Sequence, residues 1–282
     1  MIAPVVIALS LCGAEPPPPT SVPELVEALI GCVDEQCPAL RALVAKGEAV
    51  WPELDRGIGH TEELVRFWSI GVLAESPVPA ARARLLQLAG DEPKARIRAA
   101  ACFSLAGYPG ADVTAALARA LGDHDPNVRF EAASALGRRA ADATAVPALA
   151  ALVKALDDQD EDVRGAAAEA LGLMAAVART PEVERALLGK INDRKGPVRG
   201  RVAVAIGQLG ITRAVAPLVT RAGRERDVEA LAAMAWALGE LGDKAALPTL
   251  EGLVGHASEL VSQHAREAVA KLSAPPAAPP TK

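Results

Sequence analysis

The chain repeats a short pattern at intervals of 31 to 35 residues. In each copy two apolar markers lie eight residues apart, as Val128 and Leu136 do, and an arginine follows the first marker in five of the copies. Successive copies begin at residues 65, 97, 128, 163, 198, 230 and 261. A fixed period in this range is typical of stacked repeat arrays, in which each unit buries its apolar face only against its neighbours.

Composition favours an all-α chain. Hydrophobic residues make up 51% of the 282 residues but aromatic residues only 2%, so the apolar content is mostly Ala, Leu and Val. Alanine has the highest helix propensity and lets helix backbones approach closely. Long alternating patterns typical of β-strands are absent from the sequence. We therefore predict an all-α fold.

One unit, residues 145–177, indicates how a helix pair is encoded. Its first half places four apolar residues on one helix face, at 149, 152, 153 and 156. Pro147 falls in the first turn of that helix, where a missing N–H is tolerated. The acidic turn that follows offers Asp160 or Asp162 as the N-cap of a second helix starting near Val163.

Extended along the chain, this pattern predicts seven antiparallel helix pairs within residues 23–272. A leading helix over residues 22–31 caps the array. The first helices are predicted near residues 38–56, 79–89, 111–121, 145–156, 181–191, 213–223 and 245–255.

The string Val-Arg-x-x-Ala-Ala-x-Ala-Leu-Gly, the acidic turn and the proline of the first helix resemble HEAT repeats. They are most similar to the short variety also found in phycobilisome lyases. The resemblance covers about residues 55–272. It implies a right-handed α-solenoid whose second helices line the concave face, and no single activity. It also implies that the marker arginines pair with acids in the turns of adjacent units: Arg66, Arg98, Arg129, Arg164 and Arg199.

Motifs for catalysis or metal binding are missing from the sequence. It contains no Gly-x-Ser-x-Gly, no Gly-x4-Gly-Lys-Ser/Thr and no His-Glu-x-x-His. None of the four histidines is followed by Glu, which HEAT-type di-iron hydroxylases require. Cys32 and Cys37 lack the further ligands of a zinc site. We predict no enzyme activity, no cofactor and no metal; the resemblance leaves a bilin-lyase-like chaperone as an alternative.

A stripe of outward-facing positions on the second helices holds four of the seven aromatic residues. An apolar stripe on a solvent-facing surface indicates a partner. The alternative is that the rings pack against the adjacent repeat. We predict a non-enzymatic scaffold or interaction module that binds a protein or peptide on the concave face. The predicted contact residues are Phe67, Phe103, Phe130, Arg138, Leu173, Val204, Trp236 and Glu240.

The net charge is −5, but charges segregate along the chain: residues 157–184 are acidic and residues 190–226 are basic. Solvated helix ends explain this segregation, and the alternative is a bipolar surface that orients a partner. The rival function is nucleic-acid binding or HEAT-fold base excision. It would use Arg194, Lys195, Arg199, Arg201, Arg213, Arg221, Arg224 and Arg226. Because no overall basic excess exists, nucleic acid is the less favoured partner.

The N-terminal sequence indicates export. Residues 1–14 have the apolar run and small residues of a signal segment, and Leu9-Ser-Leu-Cys12 resembles a lipoprotein box. Residues 15–22 form a Pro-rich linker and residues 273–282 a Pro/Ala-rich disordered tail. In an oxidising compartment Cys32 and Cys37 could form a disulfide. We predict export across a bacterial inner membrane, to the periplasm or to a lipid anchor on Cys12; the alternative is a cytosolic protein.

Overall fold

The computed structural model describes residues 19–141 and 143–274, with side chains described for all of these except 143–145. The predicted segment 1–14, residues 15–18 of the predicted linker and residues 275–282 of the predicted tail lie outside the described residues. Throughout the described ranges, regular secondary structure is helical.

Seventeen α-helices occur in the described ranges. The first eight are α1 Val22–Ala28, α2 Pro38–Lys46, α3 Trp51–Ile58, α4 Glu63–Glu75, α5 Arg82–Asp91, α6 Ala95–Leu105, α7 Ala111–Ala120 and α8 Pro126–Arg138. The others are α9 Leu149–Ala155, α10 Glu161–Leu173, α11 Ala175–Ala178, α12 Pro181–Lys190, α13 Gly196–Leu209, α14 Val215–Ala222, α15 Val228–Leu241, α16 Leu247–Leu253 and α17 Glu259–Ser273. Short 3-10 turns occupy Leu29–Gly31, Gly47–Val50, Pro79–Ala81, Ala143–Ala148, Thr212–Ala214 and Lys244–Ala246.

These helices form the predicted α-solenoid of seven helix pairs. The second helix of each pair packs against the second helix of the next, in the order α4, α6, α8, α10, α13, α15 and α17. The first helices pack beside them. All seven first markers, from Val65 to Val261, are buried between helices. The markers that recur eight residues apart in the sequence therefore lie on the face of the second helices that packs into the core.

The first unit departs from the prediction of one long helix over residues 38–56. The structure has two helices there, α2 and α3, joined by the turn Gly47–Val50. Gly47 ends α2 with φ 62°, a backbone conformation that side-chain-bearing residues rarely adopt. Proline cannot continue a helix from the residues before it. Pro52 accordingly lies in the first turn of a new helix, α3.

Glycines of the repeated Ala-Leu-Gly string let neighbouring second helices touch. Each of these glycines faces an alanine of the next unit, so close that a Cβ added to the glycine would lie 2.9 to 3.2 Å from the alanine Cα. The pairs are Gly137–Ala170, Gly172–Ala205, Gly207–Ala237 and Gly239–Ala268. We call these contacts the glycine seam. They explain why the string ends in glycine although glycine disfavours helices.

Candidate interaction surface

A cavity of about 740 Å³ lies on the second helices of the first three units. Its aromatic walls are Phe67 and Trp68 of α4 and Phe103 of α6. Small residues lie between them: Gly71, Ala74, Ala99 and Ala100. Glu35, in the loop between Cys32 and Cys37, lines the cavity from a third side, and α8 contributes Asn127 and Glu131.

The spacing of residues along α4 and α6 creates this cavity. Phe67, Gly71 and Glu75 are four residues apart and therefore share one helix face, as Ala99 and Phe103 do on α6. Because Gly71 has no side chain, the space beside the Trp68 ring stays open: a Cβ on Gly71 would lie 3.4 Å from the indole. In the first two units, the residues of the predicted outward stripe, Phe67 and Phe103, thus line a cavity.

Two arginines hold the phenylalanine rings. The guanidinium of Arg96 lies 4.1 Å from the centre of the Phe67 ring, and that of Arg138 lies 4.3 Å from the centre of the Phe103 ring. Arg138 Nη2 also donates a hydrogen bond to the Phe103 carbonyl at 3.1 Å. Such cation–π contacts fix the ring orientation before any ligand arrives. Phe103 nevertheless remains 46% exposed.

Trp68 connects the cavity to the disulfide loop. Its ring packs edge-on against Phe67 with 4.9 Å between ring centres, and its Nε1 donates to the carbonyl of Cys32 at 3.0 Å. Cys32 and Cys37 form a disulfide. Sequence analysis did not single out Trp68, whose ring lines the cavity although 92% of its surface is buried.

Acidic side chains outnumber basic ones around the cavity. Four carboxylates line it, with Arg96 as the single lining base: Glu35, Glu75, Asp125 and Glu131. Glu75 pairs with Arg41 at 2.6 Å and Asp125 accepts the backbone N–H of Asn127 at 2.8 Å. Burial raises the pKa of the Glu131 carboxyl, an effect that the charge of Arg138 opposes. Burial likewise lowers the pKa of Arg138.

The other predicted contact residues do not line this cavity. Phe130 is half-buried and packs against the core, and Val204 is half-buried. Trp236 lies over Gly207 of the preceding unit, so close that a Cβ there would be 2.7 Å from the indole. Leu173 is 49% exposed. Glu240 pairs with Lys271 of the next unit at 2.8 Å.

The five marker arginines all pair with an acid in the turn of the following unit. We call these contacts the arginine ladder: Arg66–Glu92, Arg98–Asp123, Arg129–Asp158, Arg164–Asp193 and Arg199–Glu225. The last four pairs are bidentate, with N–O distances of 2.5 to 3.0 Å. In all five, Nη1 also donates to a carbonyl six residues earlier, at 2.7 to 3.0 Å. Each arginine therefore joins the turns of two units.

Charges in the ladder stabilise each other. Burial alone would raise the pKa of the ladder acids, but hydrogen bonds from the arginines and from backbone N–H groups outweigh it and hold the pKa below its ordinary value in Asp123, Asp158 and Asp193. For Glu225 the pKa falls to about 2. Hydrogen bonds to these acids raise the pKa of the partner arginines.

The ladder ends where both partners change together. Unit six has Ala230-Leu231 in place of an apolar residue and arginine, and the turn of unit seven has His256 where the earlier turns have an acid. His256 Nδ1 accepts the backbone N–H of Ser258 at 3.0 Å, as Asp123 accepts that of Asp125 at 2.9 Å. The histidine thus accepts the same hydrogen bond within the turn but offers no carboxylate with which an arginine could pair.

Acidic and basic segments lie opposite each other in adjacent units. Four ion pairs connect acids of residues 157–184 to bases of residues 190–226: Asp157–Lys190, Glu161–Lys195, Glu169–Arg201 and Glu184–Arg213. Arg199 and Arg221 share Glu225, and Arg194 donates to the Gln159 carbonyl at 3.0 Å. The segregation along the sequence therefore becomes charge pairing between units. Six of the eight basic residues predicted for nucleic-acid binding are engaged in this way, whereas Arg224 and Arg226 are exposed and form no ion pair with the described residues.

Within residues 19–141 and 143–274, no group of three or more His, Cys, Asp or Glu side chains is arranged to hold a metal ion. Among the helices of the same ranges, none has both the length and the apolar character to cross a bilayer.

Comparison with known proteins identifies the repeats. Residues 93–172 and 149–235 match the family model of HEAT repeats, and residues 230–256 match that of the PBS lyase HEAT-like repeat. The X-ray structure of YibA from E. coli is 19% identical, with a TM-score of 0.65 over 87% of this chain and 91% of that chain. The crystal structure of an engineered protein is 20% identical, with a TM-score of 0.56 over 90% and 78%. At these identities the likeness shows the fold alone. No curated protein matches the sequence.

Proposed function

This chain belongs to the HEAT-repeat family, whose repeats generally mediate protein interactions or scaffolding, and we propose that it is a non-enzymatic module that binds a peptide segment of a partner protein. The bound segment lies in the cavity of the first three units. In the HEAT family the second helices line the concave face. The cavity would therefore be a deeper part of the concave face, at the N-terminal end of the array.

The single observation that carries the proposal is the cavity between Phe67, Trp68 and Phe103. Its volume of about 740 Å³ lies in the range of ligand sites. Aromatic side chains in such sites dominate binding energies. The arginines stacked on Phe67 and Phe103 hold the rings in place, so little conformational entropy is lost when a partner binds.

The charge pairing of residues 190–226 gives no support to the rival nucleic-acid function. Lys190, Lys195 and Arg213 face acids of the preceding unit, and Arg199 is engaged in the ladder. A protein that binds nucleic acid needs basic groups free to replace counterions on phosphates.

A peptide selection tests the proposal. Random peptides displayed on phage are selected on the full chain, and binders are measured on Phe103→Ala and on a cavity-filling variant, Ala100→Trp. Both should weaken cavity binders by at least about 1 kcal/mol, or roughly fivefold. Because Phe103 is 46% exposed and Ala100 is half-buried, the fold should tolerate both changes.

Phe130→Ala is the matched control, since Phe130 belongs to the same predicted stripe but does not line the cavity. It should leave affinity unchanged. If every selected peptide binds the Phe103 and Ala100 variants as well as the parent, the cavity is not the binding site and the proposal fails.

We further propose that the protein is exported, either cleaved after Ala14 or lipidated on Cys12. The N-terminal sequence and the Cys32–Cys37 disulfide support this location, because disulfides persist in oxidising compartments. The intact mass of the mature protein tests it. Loss of residues 1–14 supports secretion, and loss of 1–11 with an added lipid supports anchoring. A full-length chain in the cytosolic fraction with four free thiols contradicts both.

A further inference from the structure

The carboxylates around the cavity are not equally available to a ligand. The Glu75 carboxylate is engaged by Arg41 at 2.6 Å, and that of Asp125 caps α8. Glu131 differs from both: within the described part of the chain, no hydrogen bond or ion pair engages its side chain. Glu35, on the exposed disulfide loop, also has no ion pair among the described residues.

Arg138 does not satisfy the carboxylate of Glu131. Arg138 lies close enough to affect its pKa, but the guanidinium of Arg138 lies over the Phe103 ring and donates to the Phe103 carbonyl. Glu131 is also half-buried at the cavity wall, so water solvates its carboxylate poorly. A partly desolvated carboxylate without a partner gains most when a cation arrives to pair with it.

Aromatic rings next to Glu131 add a second requirement. Phe103 is 46% exposed and Phe67 is half-buried, and both face the same cavity as Glu131. A ligand that fits must therefore bring apolar surface to the rings and positive charge to the carboxylate. An acidic segment would instead meet four lining carboxylates.

We propose that the peptide segment bound here carries a lysine or arginine beside an apolar side chain, with the cation paired to Glu131 and the apolar side chain between Phe67 and Phe103. This inference rests on the proposed function, since it names the chemistry of the segment that the cavity binds. Glu35 adds negative charge at the rim and favours approach of the same ligand.

The test uses the peptides selected on the full chain that lose affinity in the Phe103→Ala variant. Each is measured against the parent and against Glu131→Gln, which removes the charge and keeps the shape of the side chain. The lysine of the peptide is also replaced by norleucine, which has the same length and no charge. Together the two changes form a double-mutant cycle.

We expect the selected peptides to be enriched in Lys or Arg next to apolar residues. Glu131→Gln should weaken them about tenfold, and the norleucine peptide should bind both proteins with nearly equal affinity. Glu229→Gln is the control, because it removes one negative charge from an exposed site outside the cavity. It should change affinity less than twofold, which excludes an effect of net charge alone.

Other results overturn the inference in two distinguishable ways. Cavity-dependent peptides without Lys or Arg, or with equal affinity for the parent and Glu131→Gln, contradict the cationic ligand and leave the proposed function standing. The absence of any peptide that depends on Phe103 or Ala100 contradicts the proposed function and this inference together.

Discussion

Arg164 and Asp193 form a bidentate ion pair across the boundary between two consecutive repeats. Nε and Nη2 of the arginine lie 2.9 and 3.0 Å from the two carboxylate oxygens. Nη1 of the same arginine donates to the carbonyls of Asp158 and Gln159, at 2.9 and 3.1 Å. One buried guanidinium thus connects the turn of its own unit to the turn of the next.

Replacing Arg164 should therefore destabilise the array strongly. Arg164→Ala leaves Asp193 buried without its charge partner and two carbonyls without a donor, a loss expected to be about 3–5 kcal/mol. Urea unfolding followed by circular dichroism measures it.

Arg213→Ala is the comparison for the ladder. Arg213 pairs with Glu184 at 3.2 Å, but its side chain is largely exposed. Exposed pairs contribute about 1 kcal/mol or less. Equal losses in the two variants would contradict the structural role of the ladder.

Glu225 should make stability depend on acid pH. Burial opposes its ionisation, but Arg199 and two backbone N–H groups donate to it and lower its pKa from 4.5 to about 2. A depressed folded-state pKa gives stability that is present above pH 4.5 and is lost as pH falls towards 2. The shift corresponds to a contribution on the order of 3 kcal/mol.

Glu225→Gln should accordingly be less stable than the parent at neutral pH, and its unfolding free energy should vary less with pH between 4.5 and 2. Thermal melts across this range measure both effects. The exposed Glu229→Gln should follow the parent curve. A Glu225 variant with the parent's pH profile would show that the pair with Arg199 has no part in acid unfolding.

The glycine seam makes an alanine substitution harmful where helix propensity alone would favour it. A Cβ on Gly239 would lie 2.7 Å from the Cβ of Ala268 and 3.0 Å from its Cα, so α15 and α17 must separate. Gly239→Ala should lower the midpoint of thermal unfolding. Gly252→Ala, in the exposed part of α16 with nothing within 4 Å, should raise stability by up to about 1 kcal/mol. A stability change of the same sign in both variants would contradict the role of the glycine seam in helix packing.

The Cys32–Cys37 disulfide should stabilise the first unit. Closing so short a loop contributes about 2 kcal/mol in the chain-entropy model. The Cys32→Ser/Cys37→Ser double variant should lose that amount in urea unfolding. Because Trp68 Nε1 donates to the Cys32 carbonyl, its tryptophan fluorescence should also shift. Reduced parent protein should behave like the variant, and parent-like stability in either would mean that the loop is held by packing alone.

The repeat period and its eight-residue markers were enough to predict the fold, because every unit buries the same face against its neighbours. Val65, Val128 and Val261 are equally buried although they lie in different units. The break at Gly47 escaped prediction because an apolar face spans it on both sides. Beyond the second unit, a position in the outward stripe does not by itself determine what a side chain contacts: Trp236 occupies a stripe position and covers Gly207, since a glycine without a side chain admits the ring.

The cavity could not be predicted from the sequence, because the residues that form it are far apart in the chain and come together only in the folded structure. Phe67, Phe103 and Glu131 come from three units. In the sequence, the small residues that lie between the rings cannot be distinguished from ordinary helix formers. The acidic and basic segments likewise face each other only after the units stack. Local sequence determined which residues face the core, because helix periodicity is a property of neighbouring residues. Only the stacking of units decided where space remains on the surface and which charges are left without partners, because both depend on the distance and angle between helices.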